Sequence, residues 1–361
     1  MASSQFTIYT SEDPYGPGLL NGLTGSLIPI LDAVLVNGYG SGSSYYKPAA
    51  GWTKPLPNSG SIYGCYKQAS GSQYTMFVND AGGTSFTGRD AQVTGWKLLT
   101  SLSSSISVAR DSVGSGYGQF PLASQGQIYL VSGSVIWKKS STADAINRPW
   151  IILADAYTMY MWISEGAVAL QYSQYAFGDF YSLSSVPDNN KCFISGRGIV
   201  ANAAVLGYDY SDSIACGPFG ATPFIPQLVL GFAGNYIAGP ISGYGSSIRF
   251  CKKGDCTVSP TGNQGGVTTV FFCNQAGVLA CPNPADNNIY FSYIWVVEEG
   301  SSLLRGKLRG YYQVCHPMLS FANGQIIQGS GDFSGKTFMI IKFGVTNGFW
   351  AMEISPTVDT N

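Results

Sequence analysis

Beyond residue 60 the chain is a succession of short apolar or alternating runs, most of them closed by Gly, Ser, Asn or Pro. This punctuation constrains the fold more than any other feature. An isolated helix needs about 12 to 15 residues to be even marginal in water, and most runs end sooner. Their lengths suit strands, which usually span about 5 to 6 residues. Strands are expected at 74–78, 91–99, 127–138, 150–163, 167–172, 247–250, 268–273, 289–297, 307–314, 336–343 and 348–354. Within 150–163, Trp150 to Asp155 and Thr158 to Ile163 read as two strands joined by a tight turn at 155–157, a hairpin. Connections this short join antiparallel neighbours.

The exception is 19–36, LLNGLTGSLIPILDAVLV, where Leu23, Leu27, Ile30, Leu31, Val34 and Leu35 recur at three- and four-residue intervals. That spacing gives a helix one apolar face. A helix is expected to begin near Thr24 to Ser26. Pro29 cannot donate to a helix interior, so the helix either kinks there or starts just before it, and Asn37-Gly38 supplies a stop. The 46 glycines and 23 tyrosines fit the same picture, since glycine is costly inside helices and tyrosine suits a half-buried pleated surface.

The expectation is a mainly β protein, one or two antiparallel β-sandwich-like domains preceded by an extended N-terminal arm and one short helix. Residues 1–22 read as an extended docking arm, 23–205 as the helix plus a first β domain, 206–288 as a Gly/Pro/Cys-rich insertion, and 289–361 as a C-terminal β region completing the sandwich. The arm offers Phe6, Ile8 and Tyr9 in near alternation, suited to adding a strand to a partner's sheet. The stretches RDAQVTGWKLL at 89–99 and RGKLRGYYQV at 305–314 leave a duplication open.

Charged residues make up only 11% of the chain, with Lys+Arg 19 against Asp+Glu 20. Without a basic field there is nothing to draw in nucleic acid or an anionic membrane. The opening MASSQFTIYTSEDPYG lacks the basic stretch and apolar run of a signal peptide. The apolar stretches are too short or too broken by Gly and Pro for membrane insertion.

Motifs with chemistry are sparse. The single histidine, His316, precedes Pro317, and no nucleophile elbow, Walker loop, zinc-protease helix or dinucleotide fingerprint is present. No catalytic residue, cofactor or metal is therefore assigned. A pair of carboxylates is the remaining enzymatic route, as in glycoside hydrolysis. Glu298 and Glu299 are adjacent, and strand neighbours face opposite ways. Asp155, Asp179, Asp209 and Asp212 lie near aromatics without a spacing that separates an acid from a nucleophile.

Cys251 and Cys256 enclose KKGD, and Cys273 and Cys281 enclose NQAGVLA. Disulfide-closed hairpins, free thiols and a four-thiolate zinc site all remain open for these residues. Cys65, Cys192, Cys216 and Cys315 are expected as small buried apolar side chains. Trp52, between prolines in KPAAGWTKP, is a candidate contact anchor or a Trp capping the core. Trp96, Trp137 and Trp162 are candidates for stacking on sugar rings.

The block YTSEDPYGPGLLNGLTGSLIPILDAVLVNGYG, continued by KPAAGWTKP, resembles structural proteins encoded by tailed bacteriophages and prophages. The stretches KKSSTADAINRPWIILADAYTMYMWI, FGDFYSL and LLRGKLRGYYQVCHP extend the likeness in patches over most of the chain. The departure is 208–288, which holds the paired-cysteine hairpins. The resemblance implies a virion component, assembled in the host cytoplasm, with capsid decoration, neck, tail and fibre-like roles open. It carries over no active-site residue. Implied partners are other virion proteins and further copies of the chain, with a host surface glycan as the alternative.

Overall fold

The strand Thr158–Ser164 defines the layering. Its Met159, Met161 and Ile163 side chains enter one apolar cluster, while Tyr160 and Trp162 enter another. Alternate strand residues face opposite sides of a sheet, so this strand is buried on both faces. A strand covered on both sides needs apolar residues throughout, which explains the unbroken TMYMWI. The computed structural model describes residues 6–40, 45–57, 62–81, 89–102, 112–114, 134–164, 172–197, 224–228, 248–252, 291–298, 303–314, 321–343 and 348–354.

Thr158–Ser164 lies inside a ten-stranded sheet. Its order is Thr7–Thr10, Trp150–Ala154, Thr158–Ser164, Tyr172–Asp179, Cys192–Arg197, Ser134–Lys138, Asp90–Trp96, Thr75–Asn79 and Tyr63–Lys67, with Phe224–Leu228 also paired to Cys192–Arg197. A seven-stranded sheet runs Ile248–Lys252, Phe291–Glu298, Leu303–Val314, Gly348–Ile354, Thr337–Phe343 and Ile326–Gln328, and Tyr181–Ser182 pairs with Leu303–Val314. The strand pairings are antiparallel, and the expected hairpin is present, with Trp150 opposite Ile163 and Ala154 opposite Met159. The protein is mainly β, as the sequence implies.

One face of the ten-stranded sheet carries the helix. Ile28–Leu31 is α-helical and continues into a wider π-turn over Asp32–Asn37, burying Ile28, Ile30, Leu31, Val34 and Leu35 against Trp150, Ile152 and Tyr175. Pro29 occupies the first turn, where its missing N–H has no partner to lose. Gly38 ends the segment at φ 71°, and a Cβ there would stand 2.8 Å from the Lys47 carbonyl oxygen. The other face packs Leu153, Tyr160, Trp162 and Phe193 onto Val296, Tyr311, Ile341 and Met352 of the seven-stranded sheet. Helix, large sheet and small sheet thus form three layers.

The N-terminal arm requires a correction. Thr7–Thr10 pairs with Trp150–Ala154 of its own chain, and Phe6 bridges Ile354. Phe6 and Ile8 pack into the core between the sheets, and Tyr9 packs toward the helix. The alternation is therefore that of a strand, but its partner is internal. An edge strand in the same chain offers the same hydrogen bonds without the entropy loss of association. Within segment 206–288 the described strands pair with the sheets, Phe224–Leu228 with the larger and Ile248–Lys252 with the smaller. Among the described residues no helix is long and apolar enough to cross a membrane.

Candidate interaction surface

Residues 11–23 follow the first strand and lead into the turn before the helix. Asp13 fixes the first bend by accepting from the Thr10 amide at 2.9 Å and the Thr10 hydroxyl at 3.1 Å. It also accepts from the Tyr39 hydroxyl and pairs with Lys47 at 2.5 Å. Burial beside this carboxylate pushes the Tyr39 hydroxyl pKa well above its ordinary value. The Lys47 ammonium stands 5.8 and 5.9 Å from the ring centres of Tyr9 and Tyr39. Asp13 is thus committed to holding the bend.

Farther along, the Arg148 amide donates to the Leu20 carbonyl at 2.8 Å and the Gly22 amide to the Asp144 carbonyl at 2.9 Å. The two backbones run so close that a Cβ on Gly22 would lie 1.9 Å from the Thr142 carbonyl oxygen. Leu20 points inward and is buried. Its neighbours point out: Tyr15 is 73% exposed, Leu19 58% and Leu23 45%; Ile146, in the loop bonded to Leu20 and Gly22, is 60% exposed, and so is Tyr46. Tyr15 holds a left-handed backbone, φ 58°, and its ring meets that of Tyr45 at 6.4 Å. A non-glycine residue with positive φ is uncommon. The result is a set of exposed apolar side chains on backbone that is hydrogen-bonded in place.

The sequence did not single out Tyr15, Leu19 or Ile146, and Leu23 entered only through its spacing with the apolar helix residues. The helix starts at Ile28, later than the expected Thr24 to Ser26, and Leu23 is exposed in the preceding turn. Phe6 and Tyr9 are core residues rather than contacts, and Ile8 is partly buried. Trp52 is the core-capping Trp of the two readings, buried with its indole N–H donated to the Asp155 carbonyl at 2.7 Å. Trp96, Trp137 and Trp162 are buried too and have no face to offer a sugar.

The described candidate carboxylates are each committed to partners within the fold, and Asp155 links the two sheets. Asp155 pairs with Arg309 at 2.7 Å, and that guanidinium lies between the rings of Tyr157 and Tyr181 at 4.3 and 4.6 Å. Glu298 pairs with Arg305. Asp179 accepts from the Ser72 amide at 2.8 Å, the Ser72 hydroxyl and the Gln68 amide at 3.1 Å, while burial raises its pKa. Asp209, Asp212, Glu299 and His316 lie outside the described residues, as do Cys216, Cys256, Cys273, Cys281 and Cys315. Cys251 is described in its backbone only, within Ile248–Lys252. Cys65 and Cys192 are free and buried, as expected.

A second anchor lies beneath the exposed segment. Asp80 and Lys139 form an ion pair in which both side chains are fully buried. Asp80 accepts from the Leu27 amide at 2.9 Å, and Lys139 donates to the Leu23 carbonyl at 2.7 Å. No family model matches the chain. No curated protein matches it either.

Proposed function

We propose that the chain is a structural component of a tailed-phage virion that attaches to capsid, neck or tail proteins, and to further copies of itself, through the face formed by residues 15–23, Tyr46 and Ile146. The observation that carries this reading is the exposure of Tyr15, Leu19 and Leu23 on a segment whose backbone is hydrogen-bonded to the 142–148 loop. A face already ordered loses little conformational entropy when a partner covers it. Its charged groups are paired among themselves, Asp13 with Lys47 and Asp144 with Arg148, so apolar burial drives docking. Weak contacts repeated over many copies give lasting attachment. The resemblance of the N-terminal block to phage structural proteins supplies the setting.

The test is quantitative mass spectrometry of purified particles from the source phage, with the major capsid and tail-tube proteins as internal references. A copy number in fixed proportion to either supports the proposal, and the ratio separates capsid decoration from a neck, tail or fibre position. Absence from particles overturns it.

A further inference from the structure

Asp80 directly follows the strand Thr75–Asn79, and Lys139 directly follows Ser134–Lys138. Their side chains meet end to end under the turn 23–27, both fully buried. Lys139 Nζ donates to Asp80 Oδ1, to the Leu23 carbonyl at 2.7 Å and to Ser26 Oγ at 3.2 Å. The Leu27 amide donates to Asp80 Oδ2 at 2.9 Å. An amine and a carboxyl group are thus held in contact where bulk water does not reach.

We propose that Lys139 and Asp80 condense into an intramolecular isopeptide bond, Nζ to Cγ. The ammonium passes one proton to the carboxylate, the freed amine attacks Cγ, and the Nζ–Cγ bond forms. The Cγ–Oδ1 bond then breaks, and that oxygen leaves as water with a second proton from the nitrogen. Nothing is oxidised or reduced, and no co-reactant is needed.

Three features of the site favour this step. Fixed contact replaces a bimolecular encounter, which is worth a large effective concentration when the reacting atoms are aligned. The Leu27 amide is aimed at the oxygen that gains charge during attack, the arrangement that stabilises an oxyanion. The Ser26 hydroxyl, itself held by the Asn21 carbonyl at 2.9 Å, accepts from Nζ at 3.2 Å and so helps fix the amine against the carboxyl group. Burial also pushes the Asp80 carboxyl up to about 6 and Lys139 down, both toward the neutral forms that react. The product keeps its hydrogen bonds: its N–H has the Leu23 carbonyl and its oxygen the Leu27 amide.

The test is the intact mass of the full-length folded protein, followed by digestion and tandem mass spectrometry. The expected result is a mass lower than the sequence requires by one water. A branched peptide should join the segment containing Asp80 to that containing Lys139, and be absent from Lys139→Arg and Asp80→Ala. Full sequence mass, with residues 80 and 139 in separate linear peptides, overturns the proposal. So does a loss of water without the branched peptide. The wild-type chain carries the decision, so a poorly folding variant does not affect it.

Discussion

Arg305 Nη2 lies 3.0 Å from Oδ1 and 2.9 Å from Oδ2 of Asp188, joining the small sheet to a loop of the large one. Nη1 of the same guanidinium reaches Glu298, the Asn190 carbonyl accepts at 3.3 Å, and the Phe180 ring lies 5.6 Å away. Arg305 and Asp188 are almost wholly buried, and Glu298 nearly so. Removing the cation strands two carboxylates away from water. Arg305→Met should therefore lower stability by about 3 to 5 kcal/mol, read as an earlier urea midpoint. Arg305→Lys should fall between, because an ammonium cannot make the two-armed contact.

The proposed contact face predicts a separation of stability from assembly. Tyr15→Ser, Leu19→Gln and Leu23→Gln alter exposed side chains, so each should change stability by no more than about 0.5 kcal/mol. Combined, they should sharply reduce incorporation into particles, counted by mass spectrometry after complementing a deletion phage. Phe6→Ala is the contrast: it empties a core site and should cost about 3 to 5 kcal/mol. Normal incorporation of the triple variant would rule out this face.

Many of the strands were legible because their apolar runs and turn residues are local signals, and the hairpin at 155–157 follows directly from them. Tyr63–Lys67, Cys192–Arg197 and Phe224–Leu228 were not expected, and the expected strand at 268–273 lies outside the described residues. The identity of a strand's partner is not local. The alternation of Phe6, Ile8 and Tyr9 marks a strand equally well whether it pairs with Trp150–Ala154 or with another chain. Leu23 misleads for a related reason: helical spacing extends past the true helix start, where Asn21 and Ser26 divert the backbone into a turn. Ile146 comes near the exposed segment only through bonds between stretches far apart in sequence, Arg148 to Leu20 and Gly22 to Asp144. The Asp80 and Lys139 pair is invisible for the same reason.

Burial pushes the Cys65 thiol up to about 12 and raises that of Cys192 as well. The thiolate is the reactive form, so neither cysteine should react with a thiol-alkylating reagent at pH 8 in the native protein. Both should be labelled in guanidinium chloride. Peptide mapping after alkylation reads this directly, and native labelling of Cys65 would show that the sheet edge at Tyr63–Lys67 opens.

Asp179 gives the chain a specific pH dependence. Its carboxylate accepts from Ser72 and Gln68, but desolvation outweighs those donors and raises its pKa. A carboxyl group whose folded pKa lies above its unfolded value binds its proton more tightly in the folded state. Its contribution is fully present below the ordinary value of 3.8 and declines as pH rises through the raised folded value. Asp179→Asn removes that titration. The stability of the wild type relative to Asp179→Asn should therefore fall as pH rises from 4 toward neutrality, measured by urea unfolding at several pH values. A difference that grows with pH would mean that the Ser72 and Gln68 hydrogen bonds outweigh desolvation, and that Asp179 is an anionic clamp at neutral pH.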